Sequence, residues 1–145
     1  MILHNTLYQT ITMPDTSNGQ YCEKILLNRK KEIFQAHFPN LPILPGACLV
    51  QISKELIENR LQQKIQITHF KNLKFLKTIN PDEFPEIFIC FSYQKTELQS
   101  NPISQIRRLK PTANKSQISY SYAASITFSK DEHLFCKLDY HFITQ

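Results

Sequence analysis

The sequence predicts an α+β domain in which a mostly antiparallel sheet curls around one long helix. Three observations carry that expectation. Apolar residues recur at helical spacing in a single stretch, residues 47–61. Strand-like alternation occurs twice before that stretch and four or five times after it. A lone helix among so many strands buries its apolar side economically when the sheet wraps it, because the wrap gives it contact on most of its circumference.

Alternation first covers residues 7–13 and then, after the turn-like DTSNGQ with Gly19, residues 21–27, which makes an opening antiparallel pair. Pro39, Pro42 and Pro45 then force an extended, rigid path, and Pro45-Gly46 delivers the chain into the helix. Along that helix Leu49, Ile52, Leu56 and Ile57 share one side, while Gln51, Lys54, Glu55 and Glu58 occupy the other. No second helix is expected.

Period-two segments follow at residues 65–76, 86–93, around 103–109, 118–128 and 134–143. The alternation is cleanest late. Ile118, Tyr120, Tyr122, Ala124, Ile126 and Phe128 fall on one face, and Leu134, Cys136, Leu138, Tyr140 and Phe142 on another. Residues 95–116, rich in Gln, Ser, Asn, Thr and Lys, read as a hairpin region.

Composition narrows the function classes. A chain of 145 residues, 41% apolar and 20% charged, fits one globular domain over residues 1–145. No run approaches the roughly 18 apolar residues of a membrane span, and the opening MILHNTLYQT lacks a signal-peptide pattern, so a cytoplasmic protein is expected. Cys22, Cys48, Cys90 and Cys136 are dispersed with no metal-ligand spacing and read as small buried hydrophobes; no metal is expected. Only two glycines are present, which excludes phosphate-cradling glycine loops, and no organic cofactor is expected. The net charge of +5 suits an acidic partner. The densest basic pieces are Lys71, Lys74 and Lys77, and the RRLK segment with Arg107, Arg108 and Lys110. Neither carries a nucleic-acid module signature, and the aromatics follow strand faces rather than basic strips.

The specific chemistry lies in residues 36–55, AHFPNLPILPGACLVQISKE. His37 stands just before the rigid turn, where an imidazole serves as a general base near neutral pH. Taken singly, such a histidine is more often structural. The N–H groups of Gly46 and Ala47 at the helix start offer a site for negative charge, including the enolate oxygen that develops when a thioester loses its α-proton. Cys48, on the first helical turn, has no histidine near it in sequence and reads as packing.

HFPxxPxxPG followed by an apolar helix resembles the active-site segment of the 3-hydroxyacyl-[acyl-carrier-protein] dehydratases, and matches here as His37, Phe38, Pro39, Pro42, Pro45 and Gly46. KFLKTINPDE, residues 74–83, also looks like that family's strand and proline-acid turn. The resemblance implies a hotdog fold and a homodimer whose sheets join edge to edge, three such dimers also being able to form a hexamer. It implies an interfacial tunnel in which His37 faces a helix residue of the other subunit. Phe38, Pro45, Gly46 and Ala47 would bind substrate, the thioester oxygen resting on the Gly46 amide.

The sequence departs from the family at one reacting position. Fourteen residues after His37 the family has Glu or Asp and this chain has Gln51; one turn on, the family usually has Gln and this chain has Glu55. An amide has no comparably acidic proton to give. The carboxylate is therefore displaced by about 6 Å along the same helix face. Two routes follow: Gln51 orients substrate or water while Glu55 supplies the proton, or His37 alone serves as base and acid. Asn40 and Ala36 replace glycines of the family and stiffen the loop.

The expected activity is dehydration of a 3-hydroxyacyl thioester on an acidic acyl carrier protein, docked at Arg107, Arg108 and Lys110. Two other functions remain open: thioester hydrolysis, since this fold also hosts thioesterases, and a non-catalytic acyl-thioester-binding partner of an active dehydratase. Binding to nucleic acid or to a membrane is not expected.

Overall fold

The computed structural model describes residues 2–13, 18–36, 40–96 and 120–145. Strands β1 (Tyr8–Thr12) and β2 (Tyr21–Leu27) form the expected opening pair, with Tyr8 opposite Leu27. A single turn, α1 (Ile33–Ala36), precedes α2 (Gly46–Leu61), and then come β3 (Ile65–Phe75), β4 (Glu86–Lys95), β5 (Ser121–Lys130) and β6 (His133–Thr144). The six strands form one antiparallel sheet in the order β1-β2-β4-β5-β6-β3, which leaves β1 and β3 as its edges. One long helix against such a sheet is the hotdog arrangement.

The core follows from the alternation. β2 turns Glu23, Ile25 and Leu27 inward; β4 turns Ile87, Ile89 and Phe91; β5 turns Ala124, Ile126 and Phe128. Against them α2 buries Cys48, Leu49, Ile52, Ser53, Leu56 and Ile57. Each large apolar side chain so buried contributes about 1.5–3 kcal/mol. Ser53 is tolerated among them because its hydroxyl donates to the Val50 carbonyl at 2.7 Å and accepts from the Tyr140 hydroxyl at 2.9 Å. α2 stops at Gln62, whose left-handed backbone returns its N–H to the Glu58 carbonyl.

Three details differ from the sequence reading. The turn α1 was not expected; it is held by Phe34, which is 1% exposed, and four residues are too few for a helical period to show. In β6 the inward face does not begin at Leu134. The register slips between Phe128 and Ser129, a β-bulge that buries Phe135 and turns Leu134 out to 42% exposure. Cys22 and Cys90 are not small buried hydrophobes: they stand directly opposite each other on β2 and β4, on the outer face, and form a disulfide. Cross-strand register is invisible in their 68-residue sequence separation. Cys48 and Cys136 are free and buried, as expected. The strand around residues 103–109 lies outside the described residues, as does all of the 95–116 hairpin region beyond Thr96.

Candidate active site

The helix start is built as the sequence implies. Leu44, 3% exposed, donates its N–H to the Ile79 carbonyl at 2.9 Å and so pins the incoming chain. Pro45 is extended, with φ −63° and ψ 147°, and its carbonyl accepts from Cys48 at 3.0 Å and Leu49 at 3.3 Å. The N–H groups of Gly46 and Ala47 meet no acceptor among the described residues. Two donors and the positive end of the α2 dipole thus face one spot.

The reason for glycine at position 46 is visible. A Cβ there would lie 3.1 Å from Cζ and 3.3 Å from Cε1 of Phe75. The ring of Phe75, at the end of β3, therefore flanks the helix start, while 51% of that residue stays exposed. Phe75 was not singled out from sequence. Its signal was its place on the inward phase of β3, opposite the buried Cys136.

Gln51 and Glu55 share the polar face of α2, and both line an open cleft of about 540 Å³ with His4, Tyr8, Thr10 and Lys54. Glu55 is engaged on both oxygens: Oε1 accepts the Leu3 N–H at 2.6 Å and Oε2 accepts the Tyr8 hydroxyl at 2.9 Å. Tyr8 is 1% exposed, and burial first, then the Glu55 charge, hold its phenol well above its ordinary range. The phenol is therefore a fixed donor to the carboxylate. Glu58 in turn accepts the Ile65 N–H at 3.0 Å and fixes the start of β3.

A buried acid was missed. Glu23, 5% exposed, has Oε2 without a hydrogen-bond partner among the described residues. Burial raises its carboxyl above the usual range, opposed by the charges of Arg60 and His4. Arg60 itself lies over the Tyr21 ring at 4.1 Å. The signal was legible, since Tyr21, Glu23, Ile25 and Leu27 keep one phase in β2.

The structure thus brings together Pro45, Gly46 and Ala47 at the helix start, and Gln51 and Glu55 along one face of the same helix. His37, Phe38, Arg107, Arg108 and Lys110 lie outside the described residues.

A family model described as ApeI-like, ApeI dehydratase, matches residues 14–106. No curated protein sequence matches the chain. Among solved structures, the dehydratase heterocomplex ApeI:P from Xenorhabdus doucetiae is similar with a TM-score of 0.62 at 11% identity, covering 94% of this chain and 99% of that one. A mutant thioesterase from Pseudomonas aeruginosa is similar with a TM-score of 0.52 at 9% identity, covering 94% and 80%. A hypothetical thioesterase with coenzyme A from Streptococcus pneumoniae is similar with a TM-score of 0.51 at 10% identity, covering 95% and 85%. At these identities the likenesses establish the hotdog fold, which dehydratases and thioesterases share.

Proposed function

The chain belongs to the ApeI-like dehydratase family, and from that membership we propose that it removes water from a 3-hydroxyacyl thioester borne on an acyl carrier protein, giving the trans-2-enoyl product. The observation that carries the reading is HFPxxPxxPG leading into a helix whose first two amides, Gly46 and Ala47, meet no acceptor among the described residues. A thioester hydrolase has no need of a base placed to take an α-proton beside an oxyanion site.

In the proposed reaction the His37 imidazole takes the α-proton, and the C–H electrons move into the thioester carbonyl. The resulting enolate oxygen accepts from the Gly46 N–H, with the Ala47 N–H beside it. Collapse of the enolate re-forms the carbonyl, makes the α,β double bond and expels the β-hydroxyl, which leaves as water with the proton that His37 returns. Gln51 orients the hydroxyl. The single-histidine route is favoured over proton donation by Glu55 because both Glu55 oxygens are already engaged, by the Leu3 N–H and the Tyr8 hydroxyl.

The proposed unit is a homodimer joined through β3, whose inward side chains Phe70, Leu73 and Phe75 are 45%, 40% and 51% exposed at a sheet edge. One observation favours a second reading, that of a non-catalytic acyl-binding partner: Gln51 stands where the resembled dehydratases carry an acid. The solved ApeI:P dehydratase is itself a heterocomplex.

Mass-spectrometric detection of water loss from a 3-hydroxyacyl carrier protein tests both. Wild type and Glu55→Gln are expected to turn over, and His37→Ala to lose activity at least about 100-fold. A comparable loss in Glu55→Gln would return the proton-donor role to Glu55. A wild type that binds carrier protein but yields no enoyl product over a range of chain lengths would establish the partner reading instead.

A further inference from the structure

We propose that the outer face of the sheet beside β3 is the docking surface for the acidic face of the carrier protein, with Lys74 and Lys137 at its centre and Lys71 and Lys77 at its flanks; this rests on the dehydratase reading above. Lys74 on β3 and Lys137 on β6 are directly opposite each other in the ladder. Both are exposed. Like charges so placed oppose strand pairing. Three other surface cations are neutralised, Lys24 and Lys130 by Glu86 and Arg29 by Asp82, while Lys30, Lys31, Lys54, Lys64 and Lys95 have no ion pair among the described residues and are not clustered in one ladder. None of the four lysines has an ion pair among the described residues. Asp139 on β6, and Asp131 and Glu132 in the turn before it, all fall outside ion-pair distance of them.

Lysine on an edge strand discourages unwanted pairing, but β3 is the proposed dimer seam rather than a free edge. Edge protection in any case does not reach Lys137, because β6 lies inside the sheet between β5 and β3. An interior strand needs no such protection. An unneutralised cation pair there is accounted for by an anionic partner that arrives from outside.

Position selects the partner. Phe75, the residue after Lys74, stands against Gly46 at the start of α2. Lys77 lies just beyond the end of β3, its Nζ 3.0 Å from His133 Nδ1 and 5.1 Å from the centre of the Phe84 ring. The basic strip therefore lies along the strand whose last residue, Phe75, flanks the proposed oxyanion site, and a substrate tethered to an acidic protein would be presented at that end. The separated side chains fit scattered carboxylates, and a random oligonucleotide, which could stack on the exposed His69 ring beside them, is the competitor that the test includes.

The test pairs two measurements on the full chain. Binding of fluorescently labelled acyl carrier protein is followed by anisotropy at about 50 mM and about 300 mM salt. Turnover is compared for the carrier-borne 3-hydroxyacyl substrate and for the same acyl group on N-acetylcysteamine. For Lys74→Glu/Lys137→Glu the expected result is carrier affinity weakened at least about tenfold at low salt, with the N-acetylcysteamine thioester turned over as by wild type. Lys74→Gln, which removes one charge without adding another, gives a smaller loss in the same direction, and Lys64→Glu, elsewhere on the surface, gives none. Unchanged carrier binding in the double variant overturns the assignment, and so does a wild type that binds a random oligonucleotide as tightly as the carrier. If wild type turns over neither substrate, the dehydratase reading fails while the anisotropy still decides the surface.

Discussion

The two edges of the sheet solve the same problem in opposite ways. Both β1 and β3 carry a row of backbone groups that a neighbouring chain could pair with. β1 is short, five residues, and the segment before it folds back onto its first residue, with the Asn5 N–H on the Tyr8 carbonyl at 2.7 Å. Glu55 ties that segment to the helix through Leu3 and Tyr8. β3 has eleven residues, apolar side chains exposed on its inner face and lysines on its outer one. One edge is tied back at its start by the chain itself, and the other is the edge proposed to meet a second copy. Each edge touches one part of the candidate site: Phe75 of β3 flanks the helix start, and Tyr8 and Thr10 of β1 line the cleft with Gln51 and Glu55.

The largest effect should come from spoiling the β3 edge. Phe70→Glu/Leu73→Glu places charges on the face proposed to meet a second copy, and it should weaken self-association at least about 100-fold, as read by sedimentation velocity. Turnover should fall with it. A variant that stays dimeric would put the interface elsewhere. The matching change on the β1 edge, Glu55→Ala, should leave the dimer intact and cost about 1–3 kcal/mol, because it strands the Tyr8 hydroxyl and the Leu3 amide. Hydrogen exchange should then accelerate at Leu3 and Leu7 but not along β3; uniform acceleration would mean that Glu55 supports the whole fold rather than one edge.

A covalent tie separates the same two halves. Cys22–Cys90 joins β2 to β4, and the ring it closes contains, in sequence, the His37 segment, α2 and β3. Closing a loop of that length constrains the unfolded chain by about 4 kcal/mol in the entropic account, so reduction should lower Tm by on the order of 10 °C. Cys22→Ser/Cys90→Ser should match the reduced wild type. Equal Tm values with and without reductant would show that the bond does not form in solution.

Legibility in the sequence depended on whether a feature is local. The bounds of β2 and α2 came within a residue, because their apolar period is set by side chains two or three to four places apart. The helix start was equally readable, since Pro45-Gly46 fixes its own backbone. Leu134 and the Cys22–Cys90 pair were misread because a bulge and a cross-strand register are properties of two strands at once. Phe75 against Gly46 is likewise a contact between segments far apart in the chain, and a glycine that clears space for a ring cannot be told by sequence from one that clears space for a ligand. Glu55 was correctly placed on the polar face, yet its partners, Leu3 and Tyr8, are about fifty residues away.

Glu23 offers the subtlest contrast between the edges, because it faces inward on β2 opposite Thr12, the last residue of β1. Its folded-state pKa is raised, chiefly by burial. The sign follows directly: the folded state holds the proton more tightly than the unfolded one, so the contribution to stability is fully present below the unfolded pKa near 4.5 and is lost as pH rises through the folded value. Glu23→Gln removes the ionisable proton while keeping the shape. It should therefore raise Tm by a few degrees at pH 8, an effect on the order of 1 kcal/mol, and change it little at pH 4. The gain should be confined to the β1 side, with hydrogen exchange slowed at β1 and β2 and unaltered at β3. A Tm that falls at pH 8 would mean that the Glu23 carboxylate is held ionised by Arg60, and that attraction to the guanidinium outweighs the cost of burial.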